Sequence, residues 1–389
     1  MSTYFRTGQP IKNKRLKKLS LFLYTCCNLF LFRHLIIVTK KLSIMKKLIL
    51  SFVLLIVTIL SCSRTIVDPP DDKLTNAVDV YVAGKENNQV CYWKNTVKTN
   101  LINGNNLEPI SVYAENNDTY FLARSPFNPA NPQNYEYYFW KNNLKQEVKQ
   151  YLNIPTSSYF SFQQFQVKNG DIYITGIIEN LNPPTPMDKY EVCYWKNGLK
   201  NIVFKHNVQS IEVNLSIINS DFYMISHKYN TATANFEHGY YKNNTYTSLT
   251  SQSNFFVGNG IFAESNNTLL FYSDGANNSN ILKNLSNNSV TIVPFEFRTF
   301  TLDKTNNTKY FVAPTKYCKN NINTITDFSN DPNDFKFITD IKFLNNNCYI
   351  IRQRDNNQGF AQKVFINDVE AQSIADPNGR FVSIFVTEN

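Results

Sequence analysis

The chain has 389 residues, 42% of them hydrophobic and 14% aromatic, enough to bury a sizeable core. Its formal charge of +9 would point to nucleic acid or an anionic surface, but residues 1–61 hold 11 Lys or Arg and no Asp or Glu, leaving 28 basic against 30 acidic side chains elsewhere. The basicity belongs to the leader, so no nucleic-acid partner is expected.

Residues 1–44 contain an apolar run, Leu19 to Val38, interrupted by Asn28, Arg33 and His34. They are expected to be an upstream extension, with Met45 as the natural start. Residues 45–61 read as a signal peptide: Met45-Lys46-Lys47, the apolar run Leu48 to Leu60, and a small residue, Ser61, at the cut. Ile59-Leu60-Ser61-Cys62 resembles a bacterial lipobox. That resemblance implies cleavage before Cys62, acylation of Cys62 and a membrane as partner through the lipid anchor. Residues 62–73, with Pro69-Pro70 and Asp68, Asp71 and Asp72, read as a flexible tether, and acidic residues so close to a lipidated Cys resemble surface-export signals. The expected location is the bacterial cell envelope, lipid-anchored at the outer membrane, with exposure at the cell surface or a periplasmic position as the two alternatives.

Residues 74–389 are organised by two recurring phrases. One is Tyr92-Trp93-Lys94-Asn95, repeated as Phe139-Trp140-Lys141-Asn142, Tyr194-Trp195-Lys196-Asn197 and Tyr240-Tyr241-Lys242-Asn243, with eroded copies ending at Asn284, Asn320 and Asn367. The other precedes it: Asp79-Val80-Tyr81, Asp118-Thr119-Tyr120, Asp171-Ile172-Tyr173 and Asp221-Phe222-Tyr223, with weaker copies at Leu269, Tyr310 and Tyr349. Both occur seven times, at a period near 45 residues.

Val80 to Gly84 and Tyr173 to Gly176 are β-branched and aromatic runs bounded by Asp and Gly, which predicts short strands. The Lys-Asn phrase is a second strand, ending in Asn-Gly, Asn-Asn or Asn-Asp pairs that tolerate positive φ in a hairpin. A third strand follows, as at Leu199 to Phe204, and a fourth precedes the next Asp-x-Tyr phrase, as at Ile110 to Tyr113, Phe162 to Val167 and Ile211 to Ile217. Four antiparallel strands per unit predict an all-β fold, a single seven-bladed β-propeller. The first unit lacks its opening strand and the C-terminus has a spare one, Phe381 to Val386, so these are expected to pair and close the ring. The arrangement resembles kelch-type propellers, without the kelch Gly-Gly doublet, and is closer to a group of bacterial lipoproteins built from Tyr-Trp-Lys-Asn-Gly repeats. The resemblance implies a propeller and no particular activity.

Chemistry is sparse. No nucleophile elbow, His-Glu-x-x-His, phosphate loop or Cys-x-x-Cys is present. No catalytic residue, resident metal or cofactor is therefore expected. Asp327, Asp331 and Asp334 are rich enough in oxygen for Ca²⁺ but match no ligand spacing, so a solvated turn is the expectation. Cys91, Cys193, Cys318 and Cys348 are expected to be free and mostly buried. The repeated Trp93, Trp140 and Trp195 should pack between blades, and the repeated Asp should cap turns by accepting from nearby backbone N–H groups.

The repeats differ most between the two phrases, over 124–136, 177–191 and 226–239, read as three long loops on one face. From them Arg124, Phe127, Tyr135, His227, Tyr229 and Phe236 are the candidate ligand-binding residues. The expected function is non-catalytic: a monomeric, lipid-anchored propeller that binds an extracellular protein or glycan through these loops. The alternative is a hydrolase or lyase acting on extracellular polysaccharide, which would need converging carboxylates or Tyr/His groups at the central channel.

Overall fold

The computed structural model describes residues 78–388 except 130–134, 208–212, 231–234, 251–255, 265–266, 275–276, 304, 322 and 356–360. The expected upstream extension, signal peptide, acylation position Cys62 and tether lie outside the described residues. Blade 1 contains β1 (Val78–Glu86), β2 (Gln89–Lys94) and β3 (Val97–Asn105), and blade 2 contains β4 (Glu108–Glu115), β5 (Asp118–Arg124), β6 (Tyr137–Lys141) and β7 (Leu144–Glu147). After a single helical turn, α1 (Val148–Tyr151), blade 3 follows as β8 (Phe160–Lys168), β9 (Asp171–Glu179), β10 (Tyr190–Lys196) and β11 (Leu199–His206). Blade 4 is β12 (Asn214–Ile218), β13 (Asp221–Asn230), β14 (Asn235–Lys242) and β15 (Thr245–Thr250). Blade 5 is β16 (Phe256–Glu264), β17 (Asn267–Asp274), β18 (Ser279–Asn284) and β19 (Val290–Pro294). Blade 6 is β20 (Thr299–Asp303), β21 (Thr308–Val312), β22 (Lys316–Lys319) and β23 (Ile325–Asp327). Blade 7 is β24 (Phe337–Leu344), β25 (Asn347–Gln353), β26 (Gln362–Ile366) and β27 (Val369–Ser373), and the chain ends in β28 (Arg380–Glu388).

Seven four-stranded antiparallel sheets result, and β28 supplies the missing strand of the first, in the order β28-β1-β2-β3. The register Val80↔Val386, Tyr81↔Phe385 and Val82↔Ile384 bears out the expected closure, so the ring leaves no unpaired opening strand. The first strands touch round a complete circle, β28 to β4, β8, β12, β16, β20, β24 and back to β28, and therefore line the centre. Side chains stitch these inner strands together: Tyr113 Oη donates to the Phe165 carbonyl at 2.9 Å, and the Ile384 N–H donates to Asp340 Oδ2 at 2.8 Å.

Among the described residues the core is divided into seven clusters, each joining two neighbouring blades. Trp195 of blade 3 packs with Tyr120 and Phe139 of blade 2, Trp140 of blade 2 with Tyr81 and Leu101 of blade 1, and Trp93 with Ile351 of blade 7 and Phe381. The repeated Trp residues are thus inter-blade wedges, as expected, and Trp140 Nε1 also donates to the Ile102 carbonyl of blade 1 at 2.9 Å. The four thiols are free and buried; burial pushes those of Cys91, Cys193 and Cys348 up to about 12.

The two phrases meet at one end of each blade. Asn95 donates its backbone N–H to the Val80 carbonyl at 2.9 Å and accepts the Val80 N–H on Oδ1 at 2.8 Å. Asn142, Asn197, Asn243, Asn320 and Asn367 hold Thr119, Ile172, Phe222, Lys309 and Cys348 in the same way. All six sit at φ between 46° and 58°, which Asn tolerates better than other side chains. The expected role of the repeated Asp is corrected here. Asp79 accepts the Asn95 amide at 2.7 Å and the Lys94 ammonium at 2.6 Å, so the Asn caps the backbone and the Asp orients the Asn. The Lys also lies over the Tyr of the first phrase, 5.4 Å from the ring centre for Lys94 and Tyr81. In blade 5 the pattern slips by one residue, and Leu285 rather than Asn284 donates to the Thr268 carbonyl.

Candidate functional site

The sheet order places the connections between second and third strands, and those between successive blades, on one face, called here the loop face. The Asn hairpins lie on the opposite, turn face. The two kinds of connection meet there: the N–H of Asn87, between β1 and β2, donates to Asp376 Oδ2, in the connection leading to β28, at 2.6 Å.

Arg124, Phe127 and Tyr135 are brought together at the loop face of blade 2. The Arg124 guanidinium lies 4.2 Å from the Tyr135 ring centre, and Phe127 is 6.5 Å from the same ring. The cluster extends inward through Tyr137, 6.3 Å from Tyr135, to Phe162 on the inner strand of blade 3, stacked on Tyr137 at 4.2 Å. Burial raises the Tyr137 phenol, and the Arg124 charge beside it acts the other way. Phe127 remains 60% exposed at the outer end. An aromatic run backed by a cation, anchored at its inner end and open at its outer end, can stack on the flat face of a sugar or an unsaturated side chain. Tyr137 and Phe162 escape the sequence reading because each sits on a strand and becomes a neighbour of the other only across a blade boundary.

The second group is arranged differently. Residues 226–230 and 235–239 are strand rather than loop: β13 and β14 run on through Ser226↔Gly239, His227↔His238, Tyr229↔Phe236 and Asn230↔Asn235. The reason is visible in the residues, since Ile225, His227 and Tyr229 keep the two-residue alternation of a strand. His227 therefore meets His238 directly across the hairpin, with ring centres 5.8 Å apart, and His206 at the end of β11 lies 6.1 Å from His227. Burial lowers all three imidazoles; His227, further lowered by its two neighbours, falls to about 4. The cluster is neutral near pH 7. Among the described residues no three His, Cys, Asp or Glu side chains are placed to hold a metal ion. The side chains of Tyr229 and Phe236 lie outside what the structure describes, and blade 3 stands between the blade 2 cluster and the His227–His238 pair of blade 4.

The Asp327–Asp334 segment is a turn. Asp331 Oδ1 accepts the Asn333 N–H at 2.8 Å and Oδ2 pairs with Arg352 at 3.1 Å, while Asp334 pairs with Lys336 at 2.6 Å. Its carboxylates are thus occupied by the protein's own donors. At the centre, Asp340 pairs with Lys342 at 2.8 Å and takes the Ile384 N–H, which gives it a structural occupation.

No protein-family model matches the chain, and no curated protein does. Solved structures to which it is similar include apo AztD from Citrobacter koseri, at 8% identity and a TM-score of 0.40, covering 80% of this chain and 98% of that one. TolB from Acinetobacter baumannii is similar at 10% identity and a TM-score of 0.39, over 70% of this chain and 68% of that one. Acylaminoacyl peptidase from Pyrococcus horikoshii is similar at 8% identity and a TM-score of 0.38, over 67% and 45%. Likeness of this degree concerns the fold alone and bears on no ligand or reaction. The chain is a closed seven-bladed β-propeller with an aromatic and cationic cluster on its loop face.

Proposed function

We propose that the chain is a lipid-anchored protein of the bacterial cell envelope, acylated at Cys62, whose propeller acts by binding a protein or glycan through the loop face. The observation that carries the binding role is the blade 2 cluster, in which Arg124 lies 4.2 Å over Tyr135 beside the exposed Phe127. Phe127 leaves most of its ring to solvent at the outer end of this cluster, and rigid aromatic rings lose little entropy on binding. The lipobox-like Ile59 to Cys62 and the signal-like 45–61 support the anchoring.

Arrays of bacterial and host glycans, together with capture of surface proteins by the full acylated chain, test the binding role. The triple variant Arg124→Ala, Phe127→Ala, Tyr135→Ala should lose at least about tenfold in affinity for whatever the wild type retains, with an unchanged melting temperature. Equal binding by variant and wild type would remove the loop face of blade 2 as the seat.

A further inference from the structure

A repeated residue that is buried is explained by packing, whereas one that stands in solvent in blade after blade is not. The residue that opens the outermost strand of each blade is Val97, Leu144, Leu199, Thr245, Val290, Ile325 and Val369. Apart from Thr245, these are apolar, and Val97, Leu144 and Leu199 are 70%, 73% and 74% exposed, with Val290 at 52% and Ile325 at 47%. Each lies just past its Asn hairpin: Val97 pairs with Lys94, Leu144 with Lys141, Leu199 with Lys196 and Val369 with Ile366. They therefore share the outer rim of the turn face. Single exposed apolar side chains are ordinary, but recurrence along one rim makes an extended apolar border.

In blades 1 to 4 the repeated charges beside this border are compensated. Lys94, Lys141, Lys196 and Lys242 stand on the same rim, each paired with the Asp of its own blade at 2.6 to 2.9 Å. The rim thus offers apolar side chains among locally neutral polar groups, the mixture that suits the headgroup and acyl boundary of a bilayer.

The course of the chain selects that occupant. β1 begins at Val78, opposite Glu388 and next to Asp79, whose carboxylate holds Lys94 and Asn95 of the turn face. The polypeptide arriving from Cys62 therefore enters the propeller at the turn face. Only 15 residues, 63–77, lie between the acylation position and Val78, a reach of at most about 55 Å for an extended chain. We propose that the turn face rests on the membrane, with Val97, Leu144, Leu199, Val290, Ile325 and Val369 seated in the bilayer interface and the loop face presented away from it. This inference rests on the acylation of Cys62 proposed above.

The test uses the full acylated chain on vesicles of phosphatidylethanolamine and phosphatidylglycerol, with a nitroxide attached in turn at Leu144→Cys, Leu199→Cys and Phe127→Cys. Labels at 144 and 199 should relax faster with oxygen, which concentrates in the bilayer, than with a water-soluble nickel chelate; the label at 127 should show the reverse. Equal access of the chelate to all three labels on vesicle-bound protein overturns the membrane-resting face while leaving the anchor intact. Dipolar broadening between labels of two copies overturns it in favour of face-to-face pairing. An unmodified Cys62 peptide by mass, with protein that washes off the vesicles, removes the anchor and this inference with it. As a second readout, Val97→Asp, Leu144→Asp, Leu199→Asp should leave the vesicles at least about tenfold faster than wild type without a change in melting temperature.

Discussion

Asn95 and Val80 are joined by two hydrogen bonds that imitate a strand pair, one through the Asn95 backbone N–H at 2.9 Å and one through its side-chain oxygen at 2.8 Å. The arrangement needs an amide side chain on a residue that accepts positive φ, here 47°. Asn95→Gly keeps the backbone conformation and loses both side-chain bonds, the one accepted from the Val80 N–H and the one donated to Asp79, so a loss of about 2 kcal/mol is expected. Asn95→Ala adds backbone strain to that and should lose about 3 kcal/mol. Asn284→Ala should fall on the milder side, because Asn284 lacks positive φ and the two-bond clamp. Urea unfolding of the three variants checks the order.

Closure of the ring is the next relationship open to measurement. Phe381, fully buried, packs edge-on against Trp93 with ring centres 5.0 Å apart. Phe381→Ala should cost about 3–5 kcal/mol. Truncation after Gly379 removes β28 and exposes the edges of β1 and of the last cluster, and should abolish cooperative unfolding. A truncated chain that melts like the full one would mean the ring does not need its closing strand.

The three histidines should make the domain acid-sensitive before its carboxylates do. His227 has an ordinary value of 6.5 when unfolded and about 4 when folded, so between these pH values the unfolded chain binds more protons. Stability is complete above about pH 6.5 and declines as pH falls towards 4, by roughly 2 kcal/mol once partial exposure is discounted. Asp118, Asp171 and Asp221 are held below the usual carboxylate range by Lys141, Lys196 and Lys242, so their contribution is lost only at lower pH, as they protonate. His227→Gln should flatten the upper part of a melting-temperature profile and leave the lower part unchanged. An identical profile in the variant would show that the imidazoles titrate without cost.

Arg352 is buried between Phe365 and Phe328, 3.7 and 4.3 Å from their ring centres, and pairs with Asp331. Asp331→Asn removes the nearer and more buried of the two carboxylates beside this buried cation, leaving the exposed Asp368 at 4.0 Å, and should cost about 2–3 kcal/mol. Arg352→Met in the same chain should recover much of that, because an apolar side chain of similar length needs no partner. A double-mutant cycle in urea measures the coupling, and additive losses would show that the pair is not what holds the turn at 328–336.

The buried thiols should be inert. With Cys91, Cys193 and Cys348 raised to about 12, none should react with iodoacetamide at pH 8 in the native protein, and all should react in denaturant. Labelling of native protein at any of them would reveal opening of a blade interface.

The repeat made the architecture legible because each blade performs the same tasks with the same residues: Asn for the left-handed turn, Trp for the wedge between blades, Tyr beneath Lys. Even the closing strand could be read, since Phe381 to Val386 is one strand too many at one end and one is missing at the other. The six candidate site residues were less legible. Arg124, Phe127 and Tyr135 do meet, but Tyr137 and Phe162, which complete their cluster, are separated in sequence and touch only across a blade boundary. His227 was read into a loop because histidine carries little strand preference, and only the register opposite His238 shows that β13 continues through it.

The amino-acid sequence by itself determined the number of blades, the turns and the closure, because local periodicity and turn chemistry act over a few residues and repeat without regard to the rest of the chain. Which residues become neighbours was decided only by the tertiary structure. Aromatic rings from two blades, three imidazoles from two blades and exposed apolar side chains at the outer-strand starts are assembled by the ring, and a distance between blades has no counterpart in sequence spacing.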